Sequence, residues 1–133
     1  MKQYLLDTNI CIFFLQGKYN VPTKLQKAGR QNCYISEITV AELLYGAACS
    51  AQPEKHSEQV KLFIAQFEIL PIFSALPFYA QTKAHLRKNG QMIDDFDILI
   101  GATAVSANLV LVTENLKHLN RIPDITIENW IKR

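Results

Sequence analysis

Asp7, Glu42 and Asp97 are the residues whose types and placement could do chemistry together. Asp7 closes the apolar run Tyr4-Leu5-Leu6, Glu42 lies in Thr39-Val40-Ala41-Glu42, and Asp97 leads into Ile98-Leu99-Ile100-Gly101-Ala102. Each alone has a simpler role. Asp7 suits an Asx turn or a helix N-cap. Thr39 and Glu42 have the spacing of a capping box, in which the glutamate reaches back to the threonine amide. Asp97, with Asp94 and Asp95, would complement a helix dipole. Their conjunction says more. Carboxylates gathered on one pocket repel and raise one another's pKa, and a divalent cation offsets that. Hard oxygen ligands suit Mg2+, with Mn2+ as a substitute. Such an ion orients a water and stabilises charge on phosphate oxygens, so the implied chemistry is phosphodiester hydrolysis.

The elements around these acids must bring them to one place. Residues 4–6 read as a buried strand leading into a turn, and 10–16 as a helix stopped by Gly17. Residues 22–28 read as a helix with a first-turn proline, 33–35 as a strand, and 39–48 and 53–67 as helices. The strand at 68–72 is interrupted by Pro71, which points to a sheet edge. Residues 76–89 form an amphipathic pattern followed by Gly90. Residues 96–108 are apolar nearly all round and rich in Ala and Gly, as in a central helix that neighbours approach closely. The unalternating run 109–112 fits a parallel strand covered on both faces. Strands separated by helices give an α/β fold with a parallel sheet in the middle of three layers. Ligands of such sheets bind beyond the carboxyl ends of the strands, where Asp7 already stands.

Composition sets the limits. The 133 residues suit one domain, 1–133, with no repeat or linker. Apolar residues at 49% and charged residues at 20% are ordinary for a globular protein. A net charge of +2 is too small to argue for nucleic acid by itself. No apolar run reaches the roughly 18 residues of a membrane span. An acid at position 7 interrupts anything resembling a secretion signal. Cys11, Cys33 and Cys49 are odd in number and far apart, which favours buried thiols in a reducing cytoplasm over disulfides or zinc.

The segments Leu5-Leu6-Asp7-Thr8-Asn9-Ile10, Ile35-Ser36-Glu37-Ile38-Thr39-Val40-Ala41-Glu42-Leu43, residues 90–104 around Asp97, Leu111-Val112-Thr113-Glu114-Asn115 and Arg121-Ile122-Pro123 occur in one order over nearly the whole chain. In that order and spacing the chain resembles the PIN-domain ribonucleases, and more narrowly the VapC-type toxins of type II toxin–antitoxin pairs. The resemblance implies a PIN-like α/β sandwich and Mg2+-dependent endoribonuclease activity on an RNA substrate, tRNA among the candidates. It also implies inhibition by a cognate antitoxin protein, and a homodimer. Carried over by position, Asp7 and Asp97 become metal ligands and Glu42 completes the acidic site. Thr8 and Asn9 would orient the first aspartate, and Thr113 and Asn115 would support the far rim. A further acid often found in the family at the place of Asn115 or His118 is an amide and an imidazole here. That leaves a second metal poorly supplied unless Asp94, Asp95 or Glu114 makes up the charge.

Lys83, Arg87, Lys88, Lys117, Arg121, Lys132 and Arg133 are the cations that could hold RNA phosphates. His118 reads as an exposed helix-end histidine, and Tyr45, Phe78 and Tyr79 as core or dimer contacts. Two other acid-rich designs on parallel sheets do not fit. A receiver-like domain needs a phospho-accepting aspartate after a central strand and a lysine after a later one. A haloacid-dehalogenase-type phosphatase needs an aspartate where Asn9 stands. The alternative that survives is a PIN fold that binds RNA or a partner without cutting.

Overall fold

The first strand, β1 (Tyr4–Leu6), carries two leucines that are fully buried on opposite faces of the sheet. Leu6 joins a core with Ile10, Leu25, Ile35, Leu43, Phe63 and Val112. Leu5 joins a second core with Leu86, Ile98, Ile100, Leu111 and Leu119. The alternation along one strand is the two-residue period of β structure, and two cores on two faces make three layers. The computed structural model describes residues 2–133.

In chain order β1 is followed by α1 (Thr8–Gln16), α2 (Val21–Ala28), β2 (Cys33–Ser36), α3 (Glu37–Ala48), α4 (Pro53–Ile64), β3 (Glu68–Leu70), α5 (Leu76–Lys88), α6 (Asp95–Ser106), β4 (Val110–Val112), α7 (Leu116–Leu119) and β5 (Ile127–Glu128). The five strands lie in the order β3-β2-β1-β4-β5, and every neighbouring pair is parallel. Leu5 is in register with Tyr34 on one side and Leu111 on the other, which fixes β1 at the centre. From β1 the chain first builds outward to β2 and β3, then crosses to β4 on the opposite side. The reversal lies between β1 and β4, and open α/β sheets form their ligand crevice outside the strand ends at such a point.

Local chemistry accounts for most element ends. Gly17 closes α1 at φ 67°, and its amide donates to the carbonyls of Phe13 and Phe14. Gly101 lets α6 approach the segment after α7, since a Cβ there would stand 2.3 Å from Ile122 Cδ1. β3, with Pro71 just past its end, is an edge strand as expected. Several expectations need correction. The capping box at Thr39–Glu42 does not form, because α3 begins two residues earlier, at Glu37, with Ser36 Oγ accepting from the Ile38 amide at 3.0 Å. Helix α4 stops at Ile64, not 67, and β3 stops at Leu70. Both α7 and β5 went unread. β5 is two residues long, held by bonds such as Thr113 N to Glu128 O at 3.0 Å, and shows no pattern of its own. Cys11 and Cys33 are buried free thiols, whereas Cys49 is free and exposed. Tyr45 is 72% exposed and so is not a core residue.

Candidate active site at the strand ends

Asp7 lies one residue beyond β1, and its amide donates to Val112 O of β4 at 2.9 Å. The side chain is 5% exposed. It caps α1 by accepting from the Thr8 amide at 2.8 Å through Oδ1, so the simpler N-cap role is real. Its other oxygen, Oδ2, accepts from Thr113 Oγ1 at 2.7 Å. Thr113 follows β4, has no solvent exposure, and takes the Asn115 amide on the same hydroxyl at 3.0 Å. Burial pushes the Asp7 carboxyl above its ordinary range, and nearby Glu42 adds to that. The bonds from Thr113 and Thr8 pull the other way.

Glu42 is on the second turn of α3, half-buried, and its Oε1 accepts from Thr8 Oγ1 at 2.6 Å. Thr8 Oγ1 also lies 3.0 Å from Thr39 Oγ1. A hydroxyl has one proton, and that of Thr8 goes to the carboxylate, so the Thr39 hydroxyl donates to Thr8. Thr39, assigned by sequence to a cap, is instead a fully buried support for this relay. Nothing in its spacing distinguishes the two roles. Thr8 therefore serves both acids: its amide holds Asp7 and its hydroxyl holds Glu42. Asn9 makes no bond to Asp7; its Oδ1 is buried and has no partner among the described residues.

Asp97 enters from the other side, in the first turn of α6. Asn115 Nδ2 lies 3.4 Å from Asp97 Oδ2 and 3.4 Å from His118 Nδ1. The amide nitrogen thus sits between the Asp97 carboxylate and the His118 ring. His118 is half-buried at the head of this pair, not the exposed histidine expected. Burial, with Asp7, Asp94 and Glu42 nearby, pushes the Asp97 carboxyl up to about 6.

Of the three acids that could compensate for the missing fourth, two are committed elsewhere. Asp95 Oδ1 accepts from Tyr79 Oη at 2.9 Å and pairs with Lys83 at 2.8 Å, which holds it below the usual carboxylate range. Glu114 pairs with Arg133. Asp94 is left, exposed and without a side-chain bond to its own helix. Several cations are committed too. Besides Lys83 and Arg133, Arg121 donates to the carbonyls of Gln91 and Met92, each at 3.3 Å, fixing the loop before α6.

The three acids are thus brought to one end of the sheet and held by neutral donors: Asp7 by Thr113, Glu42 by Thr8, Asp97 by Asn115. Among the described residues none of the three forms a salt bridge. Beside Glu42 opens a groove of about 350 Å³ between α1, α3 and α4, with Ile12, Leu15, Leu43, Ala47 and Val60 along it.

Comparison with known proteins agrees with this architecture. The family model of the PIN domain matches residues 4–125. Ribonuclease VapC2 of Rickettsia felis is 34% identical over 97% of this chain and 98% of that protein. The tRNA(fMet)-specific endonuclease VapC of Salmonella typhimurium is 36% identical over 98% and 99%. Among solved structures, DNA-bound VapBC from Salmonella typhimurium superposes with a TM-score of 0.91 at 36% identity, covering 98% of this chain and 99% of that one. VapBC2 from Rickettsia felis, bound to a fragment of its promoter, gives 0.89 at 32% identity over 96% and 98%. The family match over most of the chain, the full-length similarity to VapC ribonucleases and the shared fold agree, and the chain belongs to the PIN-domain family, in its VapC branch.

Proposed function

We propose that this chain is a Mg2+-dependent endoribonuclease, the toxin of a toxin–antitoxin pair, which hydrolyses RNA phosphodiester bonds at the pocket of Asp7, Glu42 and Asp97. The observation that carries the reading is charge without compensation: three carboxylates share a partly buried site, each held by a neutral donor and none by a cation. Structural acids are normally paired, whereas acids kept for a metal are left for it. The residues fit a hard cation in type, since their oxygens are what Mg2+ prefers and Mn2+ accepts. Among the described residues no three histidine, cysteine, aspartate or glutamate side chains are close enough to form a ready-made cage. Asp7 and Asp97 would hold the ion and Glu42 would complete the set, with waters filling the remaining positions as Mg2+ requires. When bound, the ion would supply a Lewis acid and an activated water.

The chain's own contribution is positioning. Thr113 and the Thr8 amide fix both oxygens of Asp7, the Thr39–Thr8 relay aims Glu42, and Asn115 restrains Asp97. Such restraint matters because small misplacements of reacting groups cost large factors in rate. Arg87, Lys88, Lys117 and Lys132, which pair with no acid among the described residues, are left to meet RNA phosphates. tRNA is the RNA class we favour, because one of the relatives is named for cutting a tRNA. A cognate antitoxin would restrain the activity, as the structural relatives include a toxin–antitoxin complex from Klebsiella pneumoniae. The groove beside Glu42 supports that reading, since a partner could bury apolar side chains there and cover the acids. A cytoplasmic location and a homodimer are further parts of the proposal, resting on the family resemblance; no helix among the described residues is long and apolar enough to cross a membrane.

The test is cleavage of structured RNA by the purified chain with Mg2+, Mn2+ or chelator. Asp7→Asn and Asp97→Asn should each abolish cutting while the circular dichroism spectrum stays native. Cutting that persists in the double variant sinks the proposal. RNA binding at wild-type affinity with no cleavage under any metal would instead favour a non-cleaving PIN module.

A further inference from the structure

Arg133 is a surface cation that could have met RNA, yet each of its three guanidinium nitrogens donates within the chain. Its Nε donates to Glu114 Oε2 at 2.6 Å and its Nη2 to Glu114 Oε1 at 3.0 Å, a two-pronged fork on one carboxylate. Its Nη1 donates to Tyr19 Oη at 2.9 Å, and the guanidinium carbon lies 4.9 Å from the Tyr19 ring centroid. Isolated surface ion pairs contribute little; a bidentate pair whose guanidinium also stacks on an aromatic ring is the exception.

Both ends of this contact are anchored. Tyr19 packs edge-on against Phe13 of α1, with centroids 4.9 Å apart. It shares with Asn20 the left-handed backbone region, at φ 56° and 58°, so the turn from α1 to α2 has a defined shape. The segment that delivers Arg133 is fixed by Trp130, whose Nε1 donates to Glu128 and whose ring meets Tyr4 edge-on at 5.5 Å. Lys24 of α2 donates to the Trp130 carbonyl, and Ile131 is buried in the core.

Glu114 stands between two site residues. Thr113 before it donates to Asp7, and Asn115 after it donates to Asp97. We propose that Arg133 is a positioning residue for the acidic site: by clamping Glu114 to the α1–α2 turn it holds the 113–115 turn in the conformation from which both donors reach their acids. The chain thereby joins the two sides of the pocket through a contact outside it. The activity readout rests on the nuclease reading above, so the test includes one that does not.

The experiment uses the full chain with Arg133→Met, Arg133→Lys, Glu114→Gln and the Glu114→Gln/Arg133→Met double variant. The Asn115 amide, which donates to Thr113 Oγ1, reports the turn directly through hydrogen exchange by NMR. We expect faster exchange at Asn115 in Arg133→Met and Glu114→Gln, with the Arg133→Lys variant between them and wild type. Mn2+ binding followed by electron paramagnetic resonance should weaken in the same order. On RNA, kcat should fall about tenfold with KM within about twofold, and the double variant should be no worse than either single one. A rise in KM at constant kcat would overturn the proposal and make Arg133 a phosphate contact. Unchanged Asn115 exchange in Arg133→Met would also overturn it. Should that variant fail to fold, Glu114→Gln and Arg133→Lys carry the same readings. If the wild type cuts no RNA, the nuclease reading falls, while amide exchange still decides the clamp.

Discussion

Replacing Asp97 by asparagine should make the metal-free protein more stable while removing its activity, and the size of the gain can be worked from the site. Burial and the charges of Asp7, Asp94 and Glu42 raise the Asp97 carboxyl to about 6 from 3.8. A full shift of that size would correspond to about 3 kcal/mol at about 1.4 kcal/mol per unit. Asp97 is only half-buried, so solvent screening reduces this to about 1 kcal/mol. The sign follows from proton binding. Between pH 3.8 and about 6 the folded state holds the proton more tightly than the unfolded chain, so Asp97 makes stability fall as pH rises through that window. Above it the penalty is complete; below it the penalty vanishes. Asparagine never carries the charge, and it keeps an oxygen for the Asn115 amide.

The measurement is the difference in melting temperature between Asp97→Asn and wild type across pH, in which the other titrating groups largely cancel. At pH 7.5 with chelator the variant should melt about 3 to 5 °C higher, the shift expected for about 1 kcal/mol in a chain of this size. The difference should shrink towards zero near pH 4. Adding Mg2+ should stabilise the wild type and close or reverse the gap, because ion binding to the folded state adds stability by mass action. A variant that melts lower than wild type at pH 7.5, or that gains as much from Mg2+, would refute the charge-crowding account of the site.

Three further outcomes test the supporting residues. Thr113→Val, nearly the same shape, removes the donor to buried Asp7 and the acceptor of the Asn115 amide; it should destabilise the fold by about 1 to 3 kcal/mol in urea titration and cut kcat at least tenfold. Thr8→Val should lower activity through Glu42 whereas Thr8→Ser should retain it, a contrast read in single-turnover cleavage and absent if the hydroxyl relay is irrelevant. Ser36→Ala should cost about 1 kcal/mol of stability through loss of the α3 cap, measured by thermal melting, and a neutral result would return the helix start to Thr39.

How much of this could be read from sequence depends on how local the cause is. The strands at 4–6 and 110–112 were legible because a central parallel strand must be apolar on both faces, and Leu5, Leu6, Leu111 and Val112 are. The position of Asp7 followed from the strand alone. The start of α3 was not legible, since Ser36 and Thr39 are both good caps and the segment offers two overlapping signals. Tertiary structure chose Ser36, because β2 feeds straight into the helix and Thr39 is drawn to Thr8. The partners of Lys83, Arg121 and Arg133 were equally out of reach, since each bond joins two separate elements whose mutual placement only the fold decides. Asp94, Asp95 and Glu114 looked equivalent for the same reason, and only their three-dimensional pairings separate them.

The junctions after β1 and β2 have a consequence for how such a chain can vary. One residue, Asp7, separates β1 from α1, and none separates β2 from α3. The angular phase of each helix is therefore locked to the strand that precedes it. Inserting one residue after Ser36 would swing Glu42 by about 100° around the α3 axis, away from Thr8, while leaving helix and strand individually sound. Asp97 is not tied to a strand in this way, because the 89–94 segment lies between α5 and α6, and although Arg121 holds the carbonyls of Gln91 and Met92, the residues beside them can absorb a change in length. Two of the acids are thus geared to the sheet and the third is adjustable, so length variation compatible with this pocket should concentrate before α6 and be absent at positions 7 and 36.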